Sequence, residues 1–189
     1  MPFGVVYDLE FTAWAGSMQE RWLAPGQFRE IVQIGAVRLD TRRSWRETES
    51  LSCLVRPRIN SQLSEYFTTL TGITQAQLDA EGISFGEGLS ALVKLGQGVG
   101  FWSNGPDGDV IAENCVLTGT VPLLPTHQFL DVRPFLARAL KRPLHEVESF
   151  RLAEQFCDQP GRAHDALADA RGVAAAMRHL ICASLQAPN

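Results

Sequence analysis

The sequence predicts an α/β fold in which a mixed five-stranded sheet, antiparallel at its front, carries helices on both faces. Three β-rich segments come first, and the second and third are joined by a short polar turn, as in an antiparallel meander. The rest of the chain alternates helical periodicity with two short apolar segments. This alternation is typical of a sheet that is covered on both sides.

The five predicted strands are short runs rich in β-branched, aromatic and other apolar residues. An irregular segment, residues 12–28, separates the first strand from the second. The predicted strands cover residues 3–7, 30–39, 50–56, 99–102 and 128–131.

Helical periodicity begins near residue 61, where Leu63, Phe67 and Leu70 recur on one face. The last predicted helix has a stripe of small and apolar residues, which predicts that it packs on the sheet. Further helices are predicted at 74–78, 88–95, from about 110, at 134–140, at 146–156 and from 165 to about 185.

Asp8 and Glu10 stand at the end of the first predicted strand. Residues i and i+2 of a strand point the same way, so the two carboxylates lie side by side. Like charges this close raise each other's pKa unless a cation compensates them, and Mg²⁺ or Mn²⁺ prefers carboxylate oxygens. The same spacing recurs at Asp79 and Glu81, but there the sequence is helix-like and no strand aims the pair.

A second group of titratable residues opens the last predicted helix. Asp169 lies between Ala166 and Val173, at the edge of the inward-facing stripe, and a carboxylate turned toward a core needs a partner or a metal. His164 precedes the first turn and can swing over a site. The alternative interpretation makes Asp165 a helix N-cap and leaves Asp169 and His164 on the surface.

A third acid follows the fourth predicted strand, where a Gly/Pro turn leads into a helix. Asp107 and Asp109 are both candidates, and either is also compatible with an ordinary N-cap. We expect Asp109 to be the site residue because it directly precedes Val110, where the helix is predicted to begin.

Together these residues resemble the DEDDh family of 3′-to-5′ exonucleases, which have Asp-x-Glu on a first strand, an Asp after a mid-chain strand and His-x-x-x-x-Asp on a last helix. Residues 63–67 and 70–75 also resemble the "LS-x-[FY]…LTGIT-Q" segment of the Eri1-type exoribonuclease branch. Gly108 departs from the family, which usually has an aromatic residue there. The resemblance implies an RNase H-like fold and a site formed by Asp8, Glu10, Asp109, His164 and Asp169.

The resemblance also implies a mechanism with two divalent metal ions, Mg²⁺ or Mn²⁺. Asp8 would bridge both ions, Glu10 and Asp169 would complete one, and Asp109 would hold the other. His164 would be the general base, a role that suits an imidazole at neutral pH. The enzyme would release 5′-mononucleotides from single-stranded 3′ ends, with substrate contacts from Leu9, Phe11, Thr12, Leu70, Thr71 and Gly72.

Length and composition predict one exonuclease domain over residues 1–189, because 189 residues with 45% hydrophobic content can bury one substantial core. The net charge of −4 and the pI near 5.6 exclude a protein that coats nucleic acid through a global basic field. The four cysteines are far apart, which favours free thiols. With no signal peptide or membrane-spanning segment expected, the sequence predicts a soluble, cytoplasmic protein.

Three alternatives stay open on the sequence alone. An exodeoxyribonuclease would use the same site, because contact with a 2′-hydroxyl cannot be read from the sequence. A non-catalytic nucleic-acid binding module would share the fold. An HD-type phosphohydrolase would bind metal through adjacent His164 and Asp165, but it requires an all-helical chain. The sequence therefore favours a metal-dependent exonuclease acting on RNA, and it leaves the oligomeric state open.

Overall fold

The structure, a computed structural model, describes the backbone of residues 3–186 and the side chains of residues 3–182. Five strands form one sheet in the order β3-β2-β1-β4-β5. β1 is antiparallel to β2 and β2 to β3, whereas β1, β4 and β5 run parallel to one another. The strands are β1 (Phe3–Phe11), β2 (Ile31–Asp40), β3 (Arg46–Leu54), β4 (Phe101–Ser103) and β5 (Phe129–Asp131).

Helices follow β3, β4 and β5 along the chain. Two short 3₁₀ turns, Thr126–Gln128 and Leu144–Glu146, precede β5 and α6. The helices are α1 (Glu65–Thr71), α2 (Gln75–Glu81), α3 (Phe85–Gly96), α4 (Asp107–Thr118), α5 (Arg133–Leu140), α6 (Ser149–Phe156) and α7 (Ala166–Gln186).

The central strand β1 divides its side chains between two cores. Val5 and Tyr7 pack with apolar residues of α3 and α4 on one face, and Val6 packs with α5, α6 and α7 on the other. Asp8 and Glu10 share the face of Val6 because side chains alternate along a strand. The two acids therefore point toward the side of the sheet that α7 covers.

A third apolar cluster fixes the irregular segment after β1. Ala13 and Val32 pack against Phe67 of α1 and Leu78 of α2, and Trp22 covers the cluster. Helices α1 and α2 are thereby held close to the carboxyl end of β1, where they can form one wall of a site.

Several predicted boundaries differ from the structure, among them the starts of β3 and α4. β3 begins at Arg46 rather than at residue 50, because its first half is an exposed, polar edge strand whose sequence lacks the usual β pattern. α4 begins at Asp107 rather than near residue 110, with Pro106 at the N-cap. Because α4 starts earlier than predicted, Asp107 and Asp109 lie at other positions relative to the sheet than the sequence suggested.

None of the helices within residues 3–186 has both the length and the apolar composition needed to cross a lipid bilayer.

Candidate functional site

A cleft of about 240 Å³ opens at the carboxyl end of β1. Asp8 and Glu10 lie on one side, and His164 and Asp169 approach from the start of α7. Each of Glu10, His164 and Asp169 offers one ligand atom, and these three atoms lie within 4.8 Å of one another. The cleft therefore brings together residues that are more than 150 positions apart in the sequence.

The start of α7 is docked tightly on β2. The side-chain amide of Gln33 donates to Asp165 over 3.2 Å, and its Oε1 accepts from the backbone N–H of Ala166 over 3.0 Å. Gly35 lies beneath the same turn, and a Cβ at this position would overlap the backbone of Ala166 and Leu167. These contacts place Asp169, one turn further along α7, over β1.

Sequence reasoning missed Gln33 and Gly35. A glycine inside an otherwise apolar strand is a known sign of close backbone approach, so Gly35 carried a readable signal. Gln33 gave none, because a polar residue in a strand is usually exposed.

Asp8 is half-buried and accepts a hydrogen bond from the hydroxyl of Ser149, at the start of α6, over 3.3 Å. The Asn104 amide in turn donates to the Ser149 hydroxyl over 3.2 Å and to the carbonyl of Val147 over 2.6 Å. Ser149 and Asn104 were also missed, since nothing in their local sequence links them to the first strand.

The structure places Asp107, rather than Asp109, beside the other acids. Asp107 is half-buried at the first position of α4, and among neighbouring charges it has the largest effect on the pKa of Asp8, which it raises. Asp109 is exposed. A helix turns about 100° per residue, so the side chains of Asp107 and Asp109, two residues apart, point to nearly opposite sides of α4. The preference for Asp109 assumed a helix start three residues too late.

The pKa values of all four clustered acids are raised, mainly by burial. The pKa of Glu10 rises to about 8 and that of Asp169 to about 7, each through burial and neighbouring acids. Burial and the charge of Asp131 raise the pKa of Asp107 to about 7. The pKa of Asp8 lies well above its usual value because of burial and the charges of Asp107, Asp169 and Glu10.

This arrangement fits a divalent metal ion. The Oδ1 atom of Asp169 is buried and has no hydrogen-bond partner among the described residues, so it is free to bind a ligand. The clustered groups are carboxylate oxygens and one imidazole, which suit Mg²⁺ or Mn²⁺. A cation would also stabilise the ionised carboxylates, which burial and neighbouring acids disfavour at all four positions.

His164 lies at the mouth of the cleft, half-buried, with its backbone in the left-handed region at φ 59°. Its backbone N–H donates to Asp169 over 3.2 Å. The ring of Phe150 lies 5.7 Å from the imidazole, measured between centroids. Burial lowers the pKa of His164, which favours the neutral imidazole at neutral pH.

Of the residues expected to contact substrate, Leu9, Phe11 and Leu70 line the cleft. Thr12 does not: it is buried, and its hydroxyl donates to the carbonyl of Phe28 and accepts from the N–H of Glu30. Thr12 instead holds the end of the irregular segment beside β2.

Thr71 and Gly72 also lie outside the cleft. The Thr71 hydroxyl is buried, donates to the carbonyl of Phe67 and accepts from the N–H of Ile73. Gly72 is the left-handed C-cap of α1. The structure therefore gives both residues a role in ending α1, not in lining the cleft.

A large part of the cleft wall is apolar and mostly aromatic, and it includes Trp14, Met18, Trp22, Tyr66 and Phe150. Trp22 is held in place by its indole N–H, which donates to the carbonyl of Thr12 over 2.8 Å. Met18 is 74% exposed and Tyr66 is 43% exposed. Such a surface can stack with unpaired nucleobases.

Among the described residues that line the cleft, Arg133 is the one arginine or lysine. Its charge lowers the pKa of Asp107, and its Nε atom is buried without a hydrogen-bond partner in the described structure. Arg138, Lys141 and Arg142, which follow Arg133 on and after α5, do not line the cleft. The guanidinium of Arg142 instead donates to Gln155.

The family model for RNase T-type exonucleases matches residues 5–177. The chain belongs to this exonuclease family. A search of the curated proteins gives no match.

Solved exonuclease structures share the fold. The nuclease domain of 3′hExo, described as a DEDDh family member bound to rAMP, is 22% identical with a TM-score of 0.81, covering 99% of this chain and 95% of that one. Cell-death related nuclease 4 is 17% identical with a TM-score of 0.74, covering 97% of this chain and 64% of that one. E. coli exonuclease I in complex with a dT13 oligonucleotide is 15% identical with a TM-score of 0.70, covering 95% of this chain and 41% of that one.

The comparisons confirm the exonuclease family and the RNase H-like α/β fold expected from the sequence. The mixed sheet also excludes the HD-type phosphohydrolase, which requires an all-helical chain. As a member of the exonuclease family, the protein is a hydrolase of nucleic acid, and metal use is implied by the family together with the carboxylate and histidine cluster.

Proposed function

We propose that this exonuclease removes 5′-mononucleotides one at a time from single-stranded 3′ ends, with RNA as the favoured substrate. The observation that carries the proposal is the convergence of Glu10, His164 and Asp169, with ligand atoms within 4.8 Å of one another, beside Asp8. Residues 1–189 would act as one exonuclease domain.

Four acids would hold the metal. Asp8, Glu10 and Asp169 keep the roles given by the family resemblance, and Asp107 takes the place first expected for Asp109, because its charge faces Asp8. Two bound divalent ions would supply charge stabilisation for the phosphate and the leaving oxygen. The orphaned Oδ1 of Asp169 and the raised pKa values of the four acids support this assignment.

His164 would act as the general base at the mouth of the cleft. The neutral imidazole accepts a proton from water as the water oxygen attacks the terminal phosphorus. The bond between phosphorus and the 3′ oxygen then breaks, the phosphate stays on the released nucleotide, and the 3′ oxygen takes a proton from solvent to become a hydroxyl. His164 returns its extra proton to solvent, which restores the neutral imidazole. The lowered pKa of His164 keeps the imidazole ready for this role at neutral pH.

The cleft surface suits a frayed strand. Leu9, Phe11 and Leu70 beside the acids can contact the terminal nucleotide, and base stacking on aromatic side chains is worth roughly 1–3 kcal/mol per base. Arg133 would bind a backbone phosphate, because it is the one arginine or lysine among the described residues that line the cleft. A duplex has no unstacked base to offer to this wall.

Two observations bear on the choice between RNA and DNA. Solved structures with this fold include a 3′-exonuclease that recognises the 3′ end of a histone mRNA stem-loop and the 3′hExo nuclease domain bound to rAMP. The Leu70–Gln75 segment also resembles the RNA-trimming branch. E. coli exonuclease I, solved with dT13, has the same fold and supports an exodeoxyribonuclease as the second candidate.

The test is digestion of 5′-labelled single-stranded RNA and DNA of equal sequence, with Mg²⁺, Mn²⁺ or chelator. We expect a 3′-shortening ladder with either metal, faster on RNA, and none with chelator. Asp8→Asn and His164→Ala should each suppress the ladder, while the exposed Arg178→Ala serves as the matched control.

A faster ladder on DNA would support the second candidate. Binding of single strands without cleavage under every metal condition would instead indicate a non-catalytic module. Digestion that survives both site substitutions would refute the proposed site.

A further inference from the structure

The side chain of Arg162 connects the segment that carries His164 to the end of α1. Its Nη2 donates to the carbonyl of Thr69 over 3.2 Å and lies 3.5 Å from the carbonyl of Leu70. These carbonyls belong to the last turn of α1, where backbone acceptors lack partners within the helix. A guanidinium at this end also complements the helix dipole.

Gly72 makes room for this contact. It ends α1 with φ 78°, and its N–H donates to the carbonyl of Thr68. A Cβ at Gly72 would overlap the Arg162 guanidinium. A side chain at this position would therefore be strained by the left-handed backbone and would also displace the Arg162 guanidinium.

The contact of Arg162 with α1 joins two walls of the cleft, the α1 wall and the segment that carries His164, from outside the cleft. α1 presents Tyr66 and Leu70 to the cleft, and its position is fixed by Phe67, which is 1% exposed in the core. His164 stands two residues after Arg162 in a left-handed conformation, which a non-glycine residue keeps only where its surroundings enforce it. Arg162 itself does not line the cleft.

We propose that Arg162 is a positioning residue, which ties the His164 segment to the fixed helix α1 so that the imidazole keeps a constant distance from the cleft wall. Gly72 is the residue that permits this tie. The inference rests on the proposed function, because it gives His164 a catalytic role.

Steady-state kinetics on single-stranded RNA tests the tie. In Arg162→Ala we expect kcat to fall about tenfold while KM changes less than about twofold, because the general base loses its alignment and α1 keeps its core. The Mg²⁺ concentration needed for half-maximal activity should not change, since the metal acids are untouched. Arg162→Lys, which keeps one donor for the carbonyls, should recover part of kcat, and Arg178→Ala should match the wild type.

A double-mutant cycle with Gly72→Ala separates the tie from general damage. Gly72→Ala should lower kcat on its own but not further in the Arg162→Ala background, because the contact is already lost. The backbone strain at Gly72 is present in both backgrounds and cancels. The melting temperature, which needs no activity, should show the same coupling: Gly72→Ala lowers it more when Arg162 is present.

The inference would be overturned if the effects of Arg162→Ala and Gly72→Ala on kcat and melting temperature were additive. It would also be overturned if Arg162→Ala left kcat unchanged or raised only KM. A wild-type protein that digests no substrate would refute the proposed function instead. The melting-temperature cycle would then still decide whether Arg162 and Gly72 are coupled.

Discussion

At the scale of single residues, the candidate site is a set of acids that destabilise one another. Asp8 and Glu10 are side by side on β1, Asp169 approaches from α7 and Asp107 from α4, and burial raises the pKa of each. Groups held at perturbed pKa values in a cleft are typical of functional sites. Asp107 is the residue in this set that we propose in place of Asp109, the residue expected from the sequence.

Asp107→Asn and Asp109→Asn form a matched pair that tests this assignment. Asp107→Asn would remove a proposed metal ligand, and we expect kcat/KM on single-stranded RNA to fall at least about 100-fold, because ligand loss weakens charge stabilisation by several kcal/mol. Asp109 is exposed, so Asp109→Asn should stay within about twofold of the wild type. The reverse ranking in the same kinetic assay would restore the role first expected for Asp109.

At the scale of secondary-structure elements, function depends on how α7 docks on β2. The first turn of α7 carries Asp169 and follows His164, and it meets the sheet above Gly35 with no space for a side chain. Gln33 adds two hydrogen bonds to the same turn. The docking therefore sets the distance between α7 and the acids of β1.

Gly35→Ala should disturb stability and catalysis together. The added methyl group overlaps the backbone of α7, which cannot move as a flexible side chain does. We expect a loss of about 1–3 kcal/mol in the free energy of unfolding, as for other overpacked cores, and a fall in kcat. Gly100→Ala is the matched control, because a Cβ at Gly100 meets nothing within 4 Å. Denaturant melts in which both variants equal the wild type would contradict the tight docking.

The order of elements could be predicted from the sequence, whereas the details of the site could not. The β1 pair and the α7 pair were readable because strand and helix periodicity decide which way a side chain points. The middle acid was not, because a three-residue shift in the start of α4 exchanges Asp107 for Asp109. Thr12 and Thr71 looked like substrate contacts in sequence, but their hydroxyls are used by backbone groups that only the folded chain brings near.

At the scale of the whole molecule, the acid cluster makes stability depend on pH and metal. In the metal-free protein the pKa of Glu10 rises from 4.5 to about 8, and the pKa values of Asp107 and Asp169 rise from 3.8 to about 7. At pH values between the lower pKa values of the unfolded chain and the raised pKa values of the folded protein, the folded protein binds more protons than the unfolded chain. The free energy of unfolding therefore decreases as pH rises. The stabilising protonation is complete below about pH 4 and is lost by about pH 8.

Chemical denaturation in the presence of chelator across pH 5–8 tests the predicted direction of this pH dependence. We expect the free energy of unfolding to fall steadily with rising pH, and saturating Mg²⁺ to restore it at pH 8 because the ion binds only the folded cluster. Glu10→Gln should remove part of the pH dependence and part of the stabilisation by Mg²⁺. Stability that rises over this range in chelator would contradict the raised pKa values.

The central claim is that acids from three distant parts of the chain, together with His164, form one site for divalent metal. Calorimetric titration of the chelator-stripped protein with Mn²⁺ at pH 7 tests it most directly, in two buffers of different ionisation enthalpy. We predict saturable binding with net proton release, since the protonated acids must ionise to become ligands, and loss of that binding in Asp8→Asn. Absence of Mn²⁺ binding in the wild type, or binding that Asp8→Asn leaves unchanged, would contradict the account.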